Sequence, residues 1–344
     1  MMKQVRLAMV VFQCAGIVFW LHGGASGRTQ YGGVNLAGAE FGAGRAAGVF
    51  NKHYTYPTEA EADYFAGKGM NVFRLPFLWE RLQPKANASL DEAELGRIRA
   101  FVTYAASRKA AVILDPHNYG RYHREVIGSE KVPVSVFEDF WGRVALVFKD
   151  YPSVIFGLMN EPHGMKTELW LSDANAAIRA IRSTGAKNLI LVPGNAYSGA
   201  HSWNSDWYGT PNGRVMLGIV DPADNYAFEV HQYLDGNSSG TSGQCAGATI
   251  GSQRLKGFTD WLRANGKRGF LGEFGAADGE MCLAALDDML TYVDLNADVW
   301  LGWTYWAAGP WWGNYMFSVE PKDGQDKSQM KVLIKHLKSP AQER

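Results

Sequence analysis

The chain has 344 residues, with Lys plus Arg at 34 and Asp plus Glu at 34, so its formal net charge is zero. That balance leaves no cationic excess to hold a phosphate backbone, which argues against a nucleic-acid partner. A hydrophobic share of 47% and a charged share of 20% exclude global disorder and suit a chain with a sizeable core. Beside 15 Tyr and 17 Phe, the 12 Trp are more than that core needs. Trp is seldom fully buried, so some of these rings should line a binding surface.

The first 25 residues open with Lys3 and Arg6, run apolar from Leu7 to Leu21 except for Gln13, and end on Gly23, Gly24 and Ala25. This pattern predicts a secretory signal peptide cut near residues 25–27. A membrane anchor is the competing reading, but a span needs about 20 apolar residues. Cleavage would remove Cys14 and leave Cys245 and Cys282. In an oxidising compartment a disulfide between them is the simplest expectation, with two buried free thiols the alternative.

Short apolar, β-rich runs then recur at 31–36, 71–75, 111–115, 154–159, 188–192, 226–230, 269–272 and 299–304. Several are apolar on both faces, as strands of a covered parallel sheet should be. Helical patterns lie between them at 91–107, 136–149, 167–184, 250–265, 281–296 and 327–338, and Thr58 with Glu61 reads as a capping box. Eight strands alternating with helices predict a single (β/α)8 barrel over residues 28–344. A doubly wound sheet competes, but it usually needs fewer strands.

In such a barrel the functional groups come from the C-terminal strand ends and the loops after them. Those positions read Arg74, Asp115-Pro116-His117-Asn118, Asn160-Glu161-Pro162, His231-Gln232-Tyr233, Glu273-Phe274-Gly275 and Tyr305-Trp306. Polar groups this dense at apolar strand ends are costly unless they pair with each other or with a ligand. Two of them, Glu161 and Glu273, come from strands four and seven, which face each other across the mouth. Paired carboxylates are what glycoside hydrolysis needs. Either glutamate alone could be half of an ordinary ion pair with Arg74.

The ordered set Arg74, His117, Asn160-Glu161-Pro162, His231-Gln232-Tyr233, Glu273 and Trp306 resembles glycoside hydrolase family 5. FRLPFLWERLQP, ILDPHNYGRY, GLMNEPHGM, VPGNAYSGAHSW and FLGEFG are similar to its fungal and bacterial endo-β-1,4-glucanases. The resemblance implies a retaining mechanism, with Glu161 as acid/base and Glu273 as nucleophile. It places Arg74 and Tyr233 on Glu273, His231 near Glu161, His117 and Asn160 against the sugar (Asn160 at the 2-hydroxyl), and Trp306 beneath the sugar at the cleavage point. Trp203 and Trp207, and further on Trp311 and Trp312, follow strands five and eight and suit stacking on pyranose faces; loop packing is the alternative for each.

The implied protein is a secreted monomer acting on a β-glucan polysaccharide without cofactor or metal, free of the membrane once the leader is removed. Mannan, mixed-linkage glucan or xyloglucan are alternative substrates, and a non-catalytic glycan-binding barrel is the alternative outside enzymes. Cys245 and Cys282 follow strands six and seven, so their loops should be neighbours. Three other patterns carry little. Gly42-Ala43-Gly44 opens no helix, and Gly236-Asn237-Ser238-Ser239-Gly240 lies in a loop rather than a strand-to-helix turn. Asp294, Asn296 and Asp298 mimic a calcium loop but lack its glycine and final glutamate. Asn87 and Asn237 head glycosylation sequons.

Overall fold

The computed structural model describes residues 27–42 and 48–338. The expected leader at 1–25 lies outside them, and no helix among the described residues is long and apolar enough to cross a membrane. Eight strands close in chain order into one parallel barrel. They are β1 (Tyr31–Leu36), β2 (Val72–Phe77), β3 (Ala111–Pro116), β4 (Val154–Gly157), β5 (Ile190–Pro193), β6 (Tyr226–His231), β7 (Gly269–Glu273) and β8 (Trp300–Ala308).

Helices cover the outside: α1 (Glu59–Gly67), α2 (Glu92–Ser107), α3 (Val134–Phe148), α4 (Thr167–Ser183), α5 (Ile250–Ala264), α6 (Glu280–Leu295) and α7 (Ser328–Lys335). Local chemistry starts several of them. Thr58 and Glu61 exchange both capping-box bonds ahead of α1, and the Asp91 side chain accepts from the Ala93 and Glu94 amides ahead of α2. On α3 the residues Phe137, Phe140, Trp141, Val144 and Phe148 recur at helical spacing and are all buried. Between β5 and β6 the α-helical part is a four-residue turn, Asn212–Val215, beside short 3-10 turns at Ala196–Ser198 and Met216–Gly218.

Strand parity builds the barrel interior in layers, because side chains two apart share a face. Val72, Ile113, Ile155, Leu191, Ala227 and Phe270 form an apolar layer. Two residues further along β2, β3 and β6 stand Arg74, Asp115 and Glu229, all buried. The polar site therefore rests directly on an apolar floor. Gly272 belongs to this packing: a Cβ there would lie 2.1 Å from Glu229 Oε1, so only glycine leaves room for that carboxylate.

The strand boundaries correct the sequence reading at β2. Arg74 does not end that strand; pairing with β3 continues through Pro76 and Phe77. Arg74 is consequently mid-strand and fully buried rather than at the rim. β4 is shorter than expected and β8 longer, running on to Ala308.

The loops after β6 and β7 are joined by a Cys245–Cys282 disulfide, with Cα atoms 5.3 Å apart. Asp235 organises the same β6 loop, accepting from the Gly240, Thr241 and Ser242 amides. The disulfide spans 37 residues, a separation for which cross-linking stabilises by about 2–4 kcal/mol. Reductant should lower the unfolding free energy of the wild type, read from urea titration, by that amount and leave that of a Cys245→Ser/Cys282→Ser variant unmoved. An equal response in both proteins would refute a stabilising role.

Candidate active site

Arg74 anchors the site from inside the barrel. Its Nη1 donates to Glu273 Oε1 at 2.8 Å and to Asn35 Oδ1 at 2.9 Å, and its Nη2 donates to Asn160 Oδ1 at 2.8 Å. Asp115 and Glu229 add carboxylate oxygens at 3.1 and 3.0 Å from the guanidinium. Burial works against the charge of Arg74, but Asp115, Glu229 and Glu273 outweigh it and raise its proton affinity, so it is a permanent cation.

Glu273 ends β7 and is buried. Its second oxygen accepts from Tyr233 Oη at 2.9 Å. Burial, and then the charge of Glu273, push Tyr233 far above the usual phenol range, which keeps it a proton donor to that carboxylate. Glu161 follows β4 with a left-handed φ of 44°. Its side chain is the more open of the two, at 16% exposure against 4% for Glu273.

His231 joins the two glutamates. Its Nδ1 lies 2.8 Å from Glu161 Oε1 and 3.5 Å from Glu273 Oε2, while Nε2 faces Glu229 Oε1 at 3.4 Å. Burial alone would drive the proton off this ring. The field of Glu273, followed by the hydrogen bonds to Glu161 and Glu229, overcomes that and raises it to about 10.

One oxygen of Glu161, one of Glu273 and a ring nitrogen of His231 fall within 4.8 Å of one another. By spacing these three could also hold a cation. Their atoms already exchange hydrogen bonds with Arg74, Tyr233 and each other, so the arrangement reads as a proton-handling set.

Trp306 on β8 stacks on His117, with ring centroids 5.4 Å apart and planes 20° apart. The His117 tautomer follows from its neighbours. Asn160 Oδ1 is occupied by Arg74, so its NH2 faces His117 Nε2 at 3.1 Å. Nε2 therefore accepts, and Nδ1–H donates to Asp115 at 2.8 Å. Arg74, His117, Asn160, Glu161, His231, Tyr233, Glu273 and Trp306 thus meet at one end of the barrel.

Trp203 does not join them. It is fully buried, edge-on to Phe228, Phe258 and Trp261 at centroid distances of 5.7, 4.9 and 5.3 Å. With no long helix between β5 and β6, this indole fills the space between β6 and α5, which corrects the expectation of a sugar platform. Trp207 behaves differently: it is 69% exposed and lines a cleft of about 570 Å³ that also contains Glu161, His231 and Tyr233.

Glu229 and Asn35 were missed as members of the site. Glu229 had a visible signal, since it is a charge inside the apolar run at 226–230 and shares parity with His231. Asn35 had none, because a single Asn in a glycine-rich strand looks like any turn residue.

A pair of carboxylates, one buried and charge-paired and one opening into a cleft, at the mouth of a (β/α)8 barrel is the constellation of glycoside-cleaving enzymes. The profile of the family Cellulase (glycosyl hydrolase family 5) matches residues 32–309. Endo-beta-1,4-glucanase B of Emericella nidulans is 43% identical over 293 residues, covering 85% of this chain and 86% of that one. Among solved structures, an endo-beta-1,4-glucanase of Xanthomonas axonopodis pv. citri is 53% identical with a TM-score of 0.88, covering 89% of this chain and 98% of that one. XacCel5A, crystallised with cellopentaose, is also 53% identical with a TM-score of 0.88, covering 90% and 99%. The chain belongs to glycosyl hydrolase family 5.

Two tests follow from this geometry. The folded value of His231, about 10, lies above its ordinary 6.5, so its stabilising contribution is complete below about pH 6.5 and is lost as the pH rises toward 10. Urea unfolding of wild type and His231→Gln across that range should show the widest stability gap at the acidic end, narrowing with rising pH; a constant gap would contradict the charged ring. Separately, Trp203→Ala should cost about 3–5 kcal/mol of stability, whereas Trp207→Ala should stay within about 0.5 kcal/mol. Comparable losses at the two positions would overturn the assignment of Trp203 to the core.

Proposed function

We propose that this chain is a secreted endo-β-1,4-glucanase that cuts internal bonds of cellulose-like chains with retention of configuration. It works as a monomer without a cofactor, and neither nucleic acid nor, after leader removal, a membrane is its partner. The observation that carries the mechanism is the closeness and unequal surroundings of the two glutamates. Carboxylate oxygens within 4.8 Å suit direct attack on the anomeric carbon, because an inverting pair is held roughly 6.5–9.5 Å apart to admit water.

Glu273, holding Arg74 and Tyr233 hydrogen bonds on its two oxygens, stays ionised and attacks the anomeric carbon. Glu161 gives its proton to the leaving glycosidic oxygen. The charged His231 donates to Glu161 Oε1, which leaves the other oxygen to carry that proton toward the substrate. In the second step the Glu161 carboxylate takes a proton from water, which displaces Glu273 from the sugar. Asn160, with Oδ1 fixed by Arg74 and one N–H committed to His117, keeps its remaining N–H for the sugar 2-hydroxyl. Trp306, backed by His117, is the floor beneath the reacting sugar, and Trp207 is a wall of the cleft.

The β-1,4-glucan preference is supported by relatives named endo-beta-1,4-glucanases and by the cellopentaose complex of one relative. Secretion is supported by the leader-like opening of the sequence and by a disulfide that suits an oxidising compartment.

Reducing-sugar release measured side by side should be greatest on soluble cellulose, ahead of mannan, xylan and mixed-linkage glucan. The two carboxylate roles separate by azide rescue: Glu273→Ala should yield the inverted α-glycosyl azide, and Glu161→Ala the β-azide. Exchange of the two anomers would reverse the assignment, and an inverting wild type would remove the mechanism.

A further inference from the structure

The end of the barrel opposite the cleft carries a second set of features. Residues at and just ahead of the strand starts line three adjoining hollows of about 430, 390 and 400 Å³. The first shares Asn225 and Arg268 with the second, and Gln30, Tyr31 and Pro152 with the third, so the three form one continuous depression. Its walls hold six cations, Lys109, Lys149, Lys187, Lys267, Arg268 and Lys338, against two acids, Asp150 and Asp224. In a chain whose formal charge is zero, this is a local excess.

The excess is not absorbed by the protein itself. None of the six cations is in ion-pair contact with a carboxylate among the described residues. Lys149, Lys267 and Arg268 donate only to neutral oxygens of Thr184 and Tyr226. Helix ends do not call for them either. α4 and α5 finish at this face, and the negative end of a helix favours a nearby cation, but that effect fades beyond the last turn. Those last turns hold Arg182 and Arg263, already matched by Asp221 at 2.7 Å and Asp298 at 2.9 Å. Lys187 and Arg268 stand four residues past Ser183 and Ala264, where the strands begin.

The floor of the first hollow is apolar. Ile155, Leu189 and Leu301 form it together with the half-buried ring of Tyr31. Arg268 is close enough to Tyr31 for its charge to oppose the rise that burial imposes on that hydroxyl. Asn188 stands in the wall and is only 8% exposed. Its amide nitrogen donates to the Tyr151 and Val154 carbonyls, both at 2.9 Å, which fixes how the group is turned. Oδ1 is left buried without a donor. A buried acceptor of this kind is costly until a donor meets it. A hydroxyl can supply that donor, whereas a carboxylate or phosphate oxygen cannot.

Cations for negative charge, a ring and an apolar floor for a pyranose face, and an acceptor for a hydroxyl describe one chemical class. We propose that the base of the barrel binds an acidic polysaccharide, a chain of sugars that bear carboxylates. The continuous depression suits an extended chain with charges at intervals, while a flat bilayer has no way into the hollows. Cleft and base lie at opposite ends, so both can be occupied at once. A bound acidic chain then tethers the protein and raises the local concentration of any glycan attached to it. The inference rests on the barrel base alone and holds whatever glycan the cleft cuts.

The test measures binding of the protein to immobilised polygalacturonate by biolayer interferometry at low and at raised salt. Wild type should bind, and more weakly as salt rises. Lys187→Glu/Arg268→Glu should bind about ten-fold more weakly. Lys85→Glu/Lys322→Glu, the same change in net charge at exposed positions outside the depression, should bind like wild type. If the first pair does not fold, Lys187→Gln/Arg268→Gln carries the test, with a smaller loss of about three-fold. Poly-L-glutamate and phosphatidylglycerol vesicles, which offer negative charge without a sugar ring, should bind wild type more weakly than polygalacturonate does. Absence of binding to polygalacturonate at low salt overturns the proposal. Equal losses in the two charge-reversed pairs also overturn it, because net charge alone would then explain the effect. Vesicles or poly-L-glutamate binding as tightly as polygalacturonate would remove the acidic-sugar assignment.

Discussion

A single guanidinium buried inside the barrel sets the geometry of everything above it. Arg74 touches or pairs with groups from β1, β3, β6 and β7 and from the turn after β4. Removing an arginine from water is expensive, and the expense is offset only if its donors are met by well-placed acceptors. Asn35, Asp115, Asn160, Glu229 and Glu273 supply those acceptors, and each is held in place by meeting Arg74. The nucleophile candidate is one member of this network, so its position is as rigid as the barrel wall. Three carboxylates around one cation leave an excess of negative charge, which the raised proton affinity of His231 answers.

The same network separates two otherwise similar glutamates. Glu273 sits inside the charge cluster with a donor on each oxygen. Glu161 stands at its edge, on a left-handed turn that opens toward the cleft, with His231 as its link to the cluster. Rigidity on one side and access on the other follow from where each strand stops. β7 ends at Glu273 itself, whereas β4 ends four residues before Glu161.

The aromatic surplus divides along the same line between packing and site. Trp141, Trp170, Trp203, Trp300 and Trp303 are fully buried. They sit behind the strands, and Trp203 fills the space between β6 and α5. Trp207, Trp311 and Tyr197 are open to solvent, and Trp306 is nearly covered yet faces His117. Composition counts these rings alike. Whether an indole meets water or another ring depends on which neighbouring element leaves a space.

Strand-helix alternation and strand-end chemistry were legible in the linear sequence because both are local. Short apolar runs between helical patterns announce strands, and a Glu-Pro or His-Gln-Tyr at or just after the end of one announces a group at the barrel mouth. The eight strands, the capping box at Thr58 and the gathering of Glu161 and Glu273 were readable on that basis. The depth of Arg74, the membership of Asn35 and Glu229 and the burial of Trp203 were not. Each depends on contacts between residues far apart in the chain: β2–β3 pairing beyond Arg74, the space at Gly272 that admits Glu229, the rings of β6 and α5 that enclose Trp203. The sequence determined which groups exist and on which face of its own strand each one lies. Only closure of the barrel decided which of them meet, because distance across the mouth is a property of all eight strands together.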